Sequence, residues 1–355
     1  MNKILKYLHN FENECLRKHR MKECNNKYPK MYAILLSPEE VTRVKRRWGV
    51  LSKKGLVRSG YNNVFSFYKS FHGNINVDLV PSDFYYVCGQ VLNKKWSLNF
   101  LSHKSNLRLF VPESNRPKTI VYDINEHLYD ANDRLITKED GIELLRNIKE
   151  FVVKPSLFTG GGRGVRKVGN PSDDQIRDIL NSSDYIVQEI ITQHAFFSEL
   201  NPSSVNTVRM ETLNLNGNTS VLSAFIRIGA KGSFVDNISG REGMVVGVDE
   251  NGSLSQFGLS KDYDKVYESS SGKKFEGLVI PKYEYIKNTV IELHKHFPLV
   301  NLINWDVALD EDGVAKIIEI NLNAMNPLYH QVFNGPIFKD RTQEVIDYVV
   351  NHIKY

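Results

Sequence analysis

Residues 304–323, NWDVALDEDGVAKIIEINLN, hold two carboxylates and an amide at a spacing that can bind a cation. Asp312-Gly313 reads as a two-residue hairpin turn. Pairing outward from it sets Asp306 opposite Glu319, with Asn321 two residues on and on the same face. Trp305, Val307, Leu309, Ile318, Ile320 and Leu322 take the other face, an apolar surface fit for a core, and a one-residue slip would scramble that division. Carboxylates directly opposed repel. A hard divalent cation relieves the repulsion, and Asp, Glu and Asn oxygens suit Mg²⁺, which draws its remaining ligands from water and phosphates. The plain alternative is a wet polar face.

A second stretch, FVVKPSLFTGGGRGVRKV at 151–168, places Lys154 at the end of an apolar run, just before a glycine cluster and another short strand-like run. It lacks the Gly-Lys-Ser/Thr ending of a Walker A loop and the spacing of the dinucleotide GxGxxG turn. In a protein kinase the lysine follows the glycine loop, and neither HRD nor DFG occurs here. The order strand, lysine, glycine loop, strand describes a hairpin whose backbone amides can approach phosphate oxygens while Lys154 or Arg163 supplies charge. A mobile turn is the plain alternative. Between these stretches, NPSSVNTVRMETLNLNGNTSVLSAFIRIG at 201–229 reads as a hairpin about Asn216-Gly217 with Arg209 and Arg227 on its strands. Arginines on half-buried strands need anionic partners, a ligand's oxygens or an ordinary ion pair such as Glu211. Strict pairing about the turn puts the two arginines on opposite faces, so a shared target requires a bulge or another register.

The elements that must position these groups form an α+β pattern without regular βαβ alternation. Residues 1 to about 75 read as helical, with Ile4, Leu5, Leu8, Phe11 and Cys15 at helical spacing and SPEEV at 37–41 as a helix start. Residues 76 to about 150 are mixed. From 151 strands dominate, with turns also at Asn251-Gly252, and with helices at 281–297 and 339–353. No internal repeat or low-complexity tract occurs.

The chain has 355 residues and is 41% apolar, enough for a substantial core. No apolar run has the length of a membrane span, and Lys6, His9 and Asn10 interrupt the start before it can form a signal-peptide core, so a cytoplasmic protein is expected. Cys15, Cys24 and Cys88 have no disulfide or zinc-ligand spacing. The formal net charge is +5, but residues 1–60 carry 15 Lys and Arg against 5 Asp and Glu, leaving −5 for the rest. RVKRRWGVLSKKGLVR at 43–58 offers a cationic face to an anionic surface or partner, or is simply solvated; it matches no nucleic-acid motif, and no nucleic-acid partner is expected.

Taken in order, these blocks resemble the ATP-grasp superfamily, most closely its members associated with sugar transfer and surface-polysaccharide synthesis. The likeness covers about residues 95–335. It implies an ATP-grasp fold, two α+β subdomains clasping ATP, behind a basic, largely helical N-terminal domain at 1–94. Within 95–355 the lid would span about 130–190 and the metal-binding subdomain about 191–355. FVVKPSLFTGGGRGV looks like the lid, with Lys154 binding phosphate and Gly160, Gly161 and Gly162 in the loop over ATP. NKKWSLNFLSHKSNLRLF resembles the helix that carries an earlier lysine, here Lys104, although His103 precedes it where an aspartate is common. QEII resembles the adenine hinge, which assigns Gln188, Glu189, Ile190 and Ile191 to the base and Gln193 or His194 to the ribose. NTVRM and FIRIG resemble the segments that bring Arg209 and Arg227 to the transferring phosphate and bound carboxylate, and DNISGREGMVVGV with Asn237 resembles a further active-site loop. Asp306, Glu319 and Asn321 match the metal pair, the E-x-N form being its most specific part.

The implied cofactors are ATP and Mg²⁺. The implied activity is a carboxylate–amine ligase working through an acylphosphate, with small-molecule carboxylate and amine substrates. By family association these are sugar-linked, an amino acid joined to a sugar acid of a capsule-type polysaccharide precursor. Residues 1–60 would then dock on a membrane or a glycosyltransferase. The alternatives are a phosphotransferase of the same fold and a non-catalytic nucleotide-binding module.

Overall fold

The computed structural model describes residues 34–58, 62–157, 162–236, 243–323 and 326–353, together with His19. Gly160, Gly161, Asn237 and the expected helix around Ile4–Cys15 lie outside the described residues. The chain divides into two compact units. One comprises Met1–Lys95, Val300–Leu302 and Leu322–Tyr355, and the other Trp96–Leu299 and Ile303–Asn321.

The first unit is helical in its described part. SPEEV does start a helix, Pro38–Lys53: the Ser37 hydroxyl accepts from the Glu40 N–H and the Glu40 carboxylate accepts from the Ser37 N–H, closing a capping box around Pro38. The helix buries Val44, Trp48 and Leu51 and turns Arg43, Lys45 and Arg46 to solvent. The cationic run is therefore an exposed helix face that stops at Lys53, five residues short of the expected end, because Gly55 at φ 69 breaks it. Helices Asn62–His72, Ser82–Leu92, Leu328–Asn334 and Thr342–His352 complete the unit. No described helix is long and apolar enough to cross a membrane.

The second unit holds two sheets. The five-stranded one contains β1 (Thr119–Ile124), β2 (His127–Asp130), β3 (Glu150–Pro155), β4 (Arg166–Gly169) and β5 (Tyr185–Glu189), in the order β2-β1-β5-β3-β4 and antiparallel throughout. Its first strand begins at Thr119. Helices Lys138–Arg146 and Asp173–Leu180 cover it, each opened by a capping box (Thr137 with Asp140, Ser172 with Gln175), and bury Ile142, Leu145, Ile176 and Ile179 against Phe151, Val153 and Val187.

The seven-stranded sheet runs β10-β9-β8-β7-β6-β11-β12. Its strands are β6 (Thr207–Leu215), β7 (Asn218–Ile228), β8 (Met244–Val248), β9 (Leu254–Ser260), β10 (Lys265–Val266), β11 (Leu302–Leu309) and β12 (Ala315–Asn321). On its core face the helix Tyr283–His294 buries Ile286, Val290 and His294. The Thr212 hydroxyl there accepts from the Trp305 indole N–H at 2.7 Å, and Phe297 packs edge-on to the same indole. The face opposite carries the polar groups.

Candidate functional site

Two β-bulges bring the site together. In the first hairpin Asn216 and Gly217 both have left-handed φ, as a two-residue turn requires, and pairing runs regularly from Leu215↔Asn218 to Thr212↔Val221. Leu222 is then extra, and beyond it Arg209 faces Phe225 while Thr207 faces Arg227. Thr207 and Arg209 share a face, so Arg227 joins them. The bulge thus supplies the register change that a common target for the two arginines requires.

The second hairpin reaches the expected pairing by an unexpected route. Asp310 pairs with Val314 around a three-residue loop in which only Gly313 is left-handed, not around a two-residue turn. That shifts the register by one, giving Val307↔Ile317, until a bulge at Ile318 shifts it back to Asp306↔Glu319 and Asn304↔Asn321. Ile318, expected in the core, is therefore half-exposed, and fully buried Ile317 takes its place.

Charge converges on Asp306. Arg209 forks onto it, Nε donating to one carboxylate oxygen at 2.6 Å and Nη2 to the other at 2.5 Å. Arg227 Nη1 donates at 3.2 Å and Asn321 Nδ2 at 3.4 Å. The Asp306 side chain is only 6% exposed. Burial pushes its carboxyl up, but the attraction of Arg209 and then Arg227 outweighs that and holds it below the usual range. For Glu319 burial wins over the Lys104 ammonium 3.8 Å away, and its carboxyl is raised. Asp236, a residue the sequence reading passed over beside Asn237, accepts from the Thr207 hydroxyl and lies 3.6 Å from Arg227 Nη1.

Lys154, on β3, is drawn down to about 8, mainly by burial and then by the Lys104 charge. Lys104 opens a short 3₁₀ turn, Lys104–Leu109. The single helix expected here is instead three pieces, Lys95–Ser97, Leu98–Ser102 and Lys104–Leu109, broken where His103 turns extended. Ser156 ties the two lysines: its carbonyl accepts from the Lys104 N–H at 3.0 Å and its hydroxyl meets that of Ser105 at 3.1 Å, two residues after Lys154. His103 is buried with its Nδ1 unpaired among the described residues, and burial lowers its pKa.

The residues expected at an adenine hinge are placed as follows. Gln188 is buried at the end of β5, while Glu189 is exposed and pairs with Lys118 at 2.8 Å. Ile190 and Ile191 are half-buried in irregular backbone, which pairs again where the His194 N–H meets the Leu309 carbonyl. The Gln193 side chain faces inward, its amide N–H donating to the Asn201 carbonyl and its amide oxygen accepting from Asn206. His194 is partly exposed, and its Nδ1 accepts from the Phe196 N–H. Gly162 has φ +71, and a Cβ there would meet the Val235 side chain at 3.2 Å, so this glycine approaches the residue next to Asp236.

As to cations, no group of three or more His, Cys, Asp and Glu among the described residues stands ready for a metal. Asp306, Glu319 and Asn321 are nonetheless hard oxygen donors on one face, and the Arg209 guanidinium already occupies a cation's place at Asp306. The set fits Mg²⁺ bound mainly through water and phosphate.

Compared with curated proteins, the sequence matches none. Similar solved structures include D-alanyl-alanine synthetase A from Vibrio cholerae (16% identity over 70% of this chain and 65% of that one, TM-score 0.42). An L-amino acid ligase from Bacillus licheniformis is 14% identical over 73% and 50%, with a TM-score of 0.41. The biotin carboxylase domain of the Hydrogenobacter thermophilus 2-oxoglutarate carboxylase, solved with MgADP and bicarbonate, is 13% identical over 91% and 60%, with a TM-score of 0.46. This chain spans less than two thirds of the length of each. A family model described as sugar-transfer associated ATP-grasp matches residues 169–347, half of the chain and the part that contains Arg209, Arg227, Asp306, Glu319 and Asn321. On that match, the chain belongs to the sugar-transfer-associated ATP-grasp family and has the ATP-grasp fold.

Proposed function

We propose that this protein is an ATP- and Mg²⁺-dependent ligase that joins a carboxylate to an amine on a sugar-bearing precursor of a surface polysaccharide. The observation that carries the reading is the convergence of Lys104, Lys154, Arg209 and Arg227 on the face that holds Asp306, Glu319 and Asn321. Bound ATP with Mg²⁺ would supply a phosphoryl group that turns a carboxylate oxygen into a leaving group for the amine. Asp306, Glu319 and Asn321 would hold the ion. Lys104 and Lys154 would neutralise phosphate charge, and Arg209 and Arg227 would orient the reacting anions. The irregular backbone at Ile190 and Ile191 would receive the base, with His194 at the ribose. The sugar-bearing part of the substrate is inferred from the family's association with sugar transfer.

The test is isothermal titration with a non-hydrolysable ATP analogue, with and without Mg²⁺, on wild type and on Asp306→Asn/Glu319→Gln. Binding that requires Mg²⁺ and is lost in the variant supports the reading and justifies assaying carboxylate and amine pairs for ADP release. A folded wild type that binds no analogue, or binds it regardless of metal and variant, ends it.

A further inference from the structure

Both oxygens of Asp306 are already in use: one accepts from Arg209 Nε, the other from Arg209 Nη2, Arg227 Nη1 and Asn321 Nδ2. A carboxylate offers about four lone-pair positions. A divalent ion arriving at this residue therefore meets one oxygen crowded by three donors, another with a single lone pair left, and two guanidinium charges. With all groups ionised, Lys104, Lys154, Arg209 and Arg227 outnumber Asp236, Asp306 and Glu319 by one positive charge. Metal alone makes that imbalance worse, whereas a nucleotide polyphosphate reverses it.

We propose that Asp306 is an exchange point, occupied by the Arg209 guanidinium in the nucleotide-free protein and by the divalent ion in the loaded one, with Asp236 retaining Arg227 when Asp306 is given up. The proposal rests on the metal role given to Asp306 above. A guanidinium displaced inside a site where Arg209 is 11% and Arg227 13% exposed must find another anion. For Arg227 that anion is in place: Asp236 lies 3.6 Å from the same Nη1 that holds Asp306, and the Thr207 hydroxyl, on the residue paired with Arg227, anchors it. Arg209 has no comparable second carboxylate at salt-bridge distance among the described residues, so its new partner is the ligand, a phosphate or a carboxylate. Metal and nucleotide binding are then positively coupled, because each removes an obstacle to the other. Asp236 acts as a positioning residue for Arg227.

Mn²⁺ binding, read from the free-ion electron paramagnetic resonance signal with and without ADP, tests this without any turnover. Wild type should bind Mn²⁺ weakly alone and much more tightly with ADP. Arg209→Met should tighten nucleotide-free binding about tenfold and shrink the ADP-dependent gain by a similar factor. Asp236→Asn should weaken Mn²⁺ binding several-fold in both conditions, since Arg227 then stays on Asp306. If Arg209→Met does not fold, Arg209→Lys, which keeps the charge without the fork, should tighten nucleotide-free binding about threefold. Unchanged or weaker nucleotide-free binding in a folded Arg209 variant overturns the exchange. Asp306→Asn separates the two readings: if it leaves Mn²⁺ affinity intact, the metal role itself fails, and if it abolishes binding while the Arg209 variants change nothing, only the exchange fails.

Discussion

Lys154 sits where a lysine is uncomfortable, half-buried and beside Lys104, with the carboxylates of Glu319 and Asp236 only partly compensating. Its ammonium is drawn from the ordinary 10.5 to about 8. Between those values the unfolded chain holds the proton and the folded one has released it, so stability rises with pH across that window. The penalty is fully present below about pH 8 and fades towards 10.5. Lys154→Met should therefore stabilise the protein at pH 7 by about 2 kcal/mol, a figure discounted from the full shift because the side chain is partly exposed. The gain should shrink to nothing at pH 10.5, and paired urea titrations at the two pH values would show it. A penalty retained for binding rather than folding has a second signature. Nucleotide-analogue affinity should fall as the pH rises through 8 in wild type, and Lys154→Arg, which cannot lose its proton there, should hold its affinity across the same range. An equal loss in both would assign the pH effect to another group.

At the scale of elements, the site depends on where strands gain an extra residue. Leu222 is unpaired in the β6–β7 ladder, so deleting it leaves Thr207 opposite Arg227 and only regularises the strand. Inserting an alanine between Ile226 and Arg227 instead sends Arg227 to the other face. The deletion removes a side chain that is 2% exposed and should cost about 2–4 kcal/mol, yet analogue binding should survive it. The insertion should abolish binding and cost at least as much stability, because it drives a guanidinium onto the apolar face and takes a partner from Asp306 and Asp236. Thermal melts with analogue titrations of the two variants give the contrast, and loss of binding in both would sink the register argument. The same bulges explain what was legible in the sequence. Asp306 opposite Glu319 was readable because a longer turn and a bulge shift the register in opposite directions and cancel, while Ile318, lying inside the bulge, was misassigned. For the arginines, the clash between shared chemistry and opposite faces was itself the signal of a bulge. The capping boxes at Thr137 and Ser172 are legible locally, as a Thr or Ser three residues before an Asp or Gln. Asp236 carried no local signal, since Thr207 and Arg227 reach it only through strand pairing.

At the scale of the whole molecule, sequence continuity and compactness part company after Asn321. The hairpin that carries Asp306 and Glu319 belongs to one unit, and the next residues, through the helices Leu328–Asn334 and Thr342–His352, belong to the unit built from the N-terminal segment. Gln331 shows why they fold with that segment: its fully buried amide donates to the Tyr68 hydroxyl at 2.9 Å and the Val80 carbonyl at 3.0 Å and accepts from the Val80 N–H at 2.7 Å. Turn signals and apolar spacing report on neighbours in sequence, and a buried glutamine that bonds a backbone some 250 residues away leaves no such trace. Replacing it with alanine strands two backbone groups of Val80 and should destabilise its unit by about 2–4 kcal/mol. Asp306→Asn leaves Arg209 and Arg227 under-compensated in the other unit and should cost about 3 kcal/mol there. If each unit is its own cooperative structure, calorimetry should resolve two transitions, with Gln331→Ala lowering one and Asp306→Asn the other. A single transition that both substitutions lower together would mean that the two units fold as one.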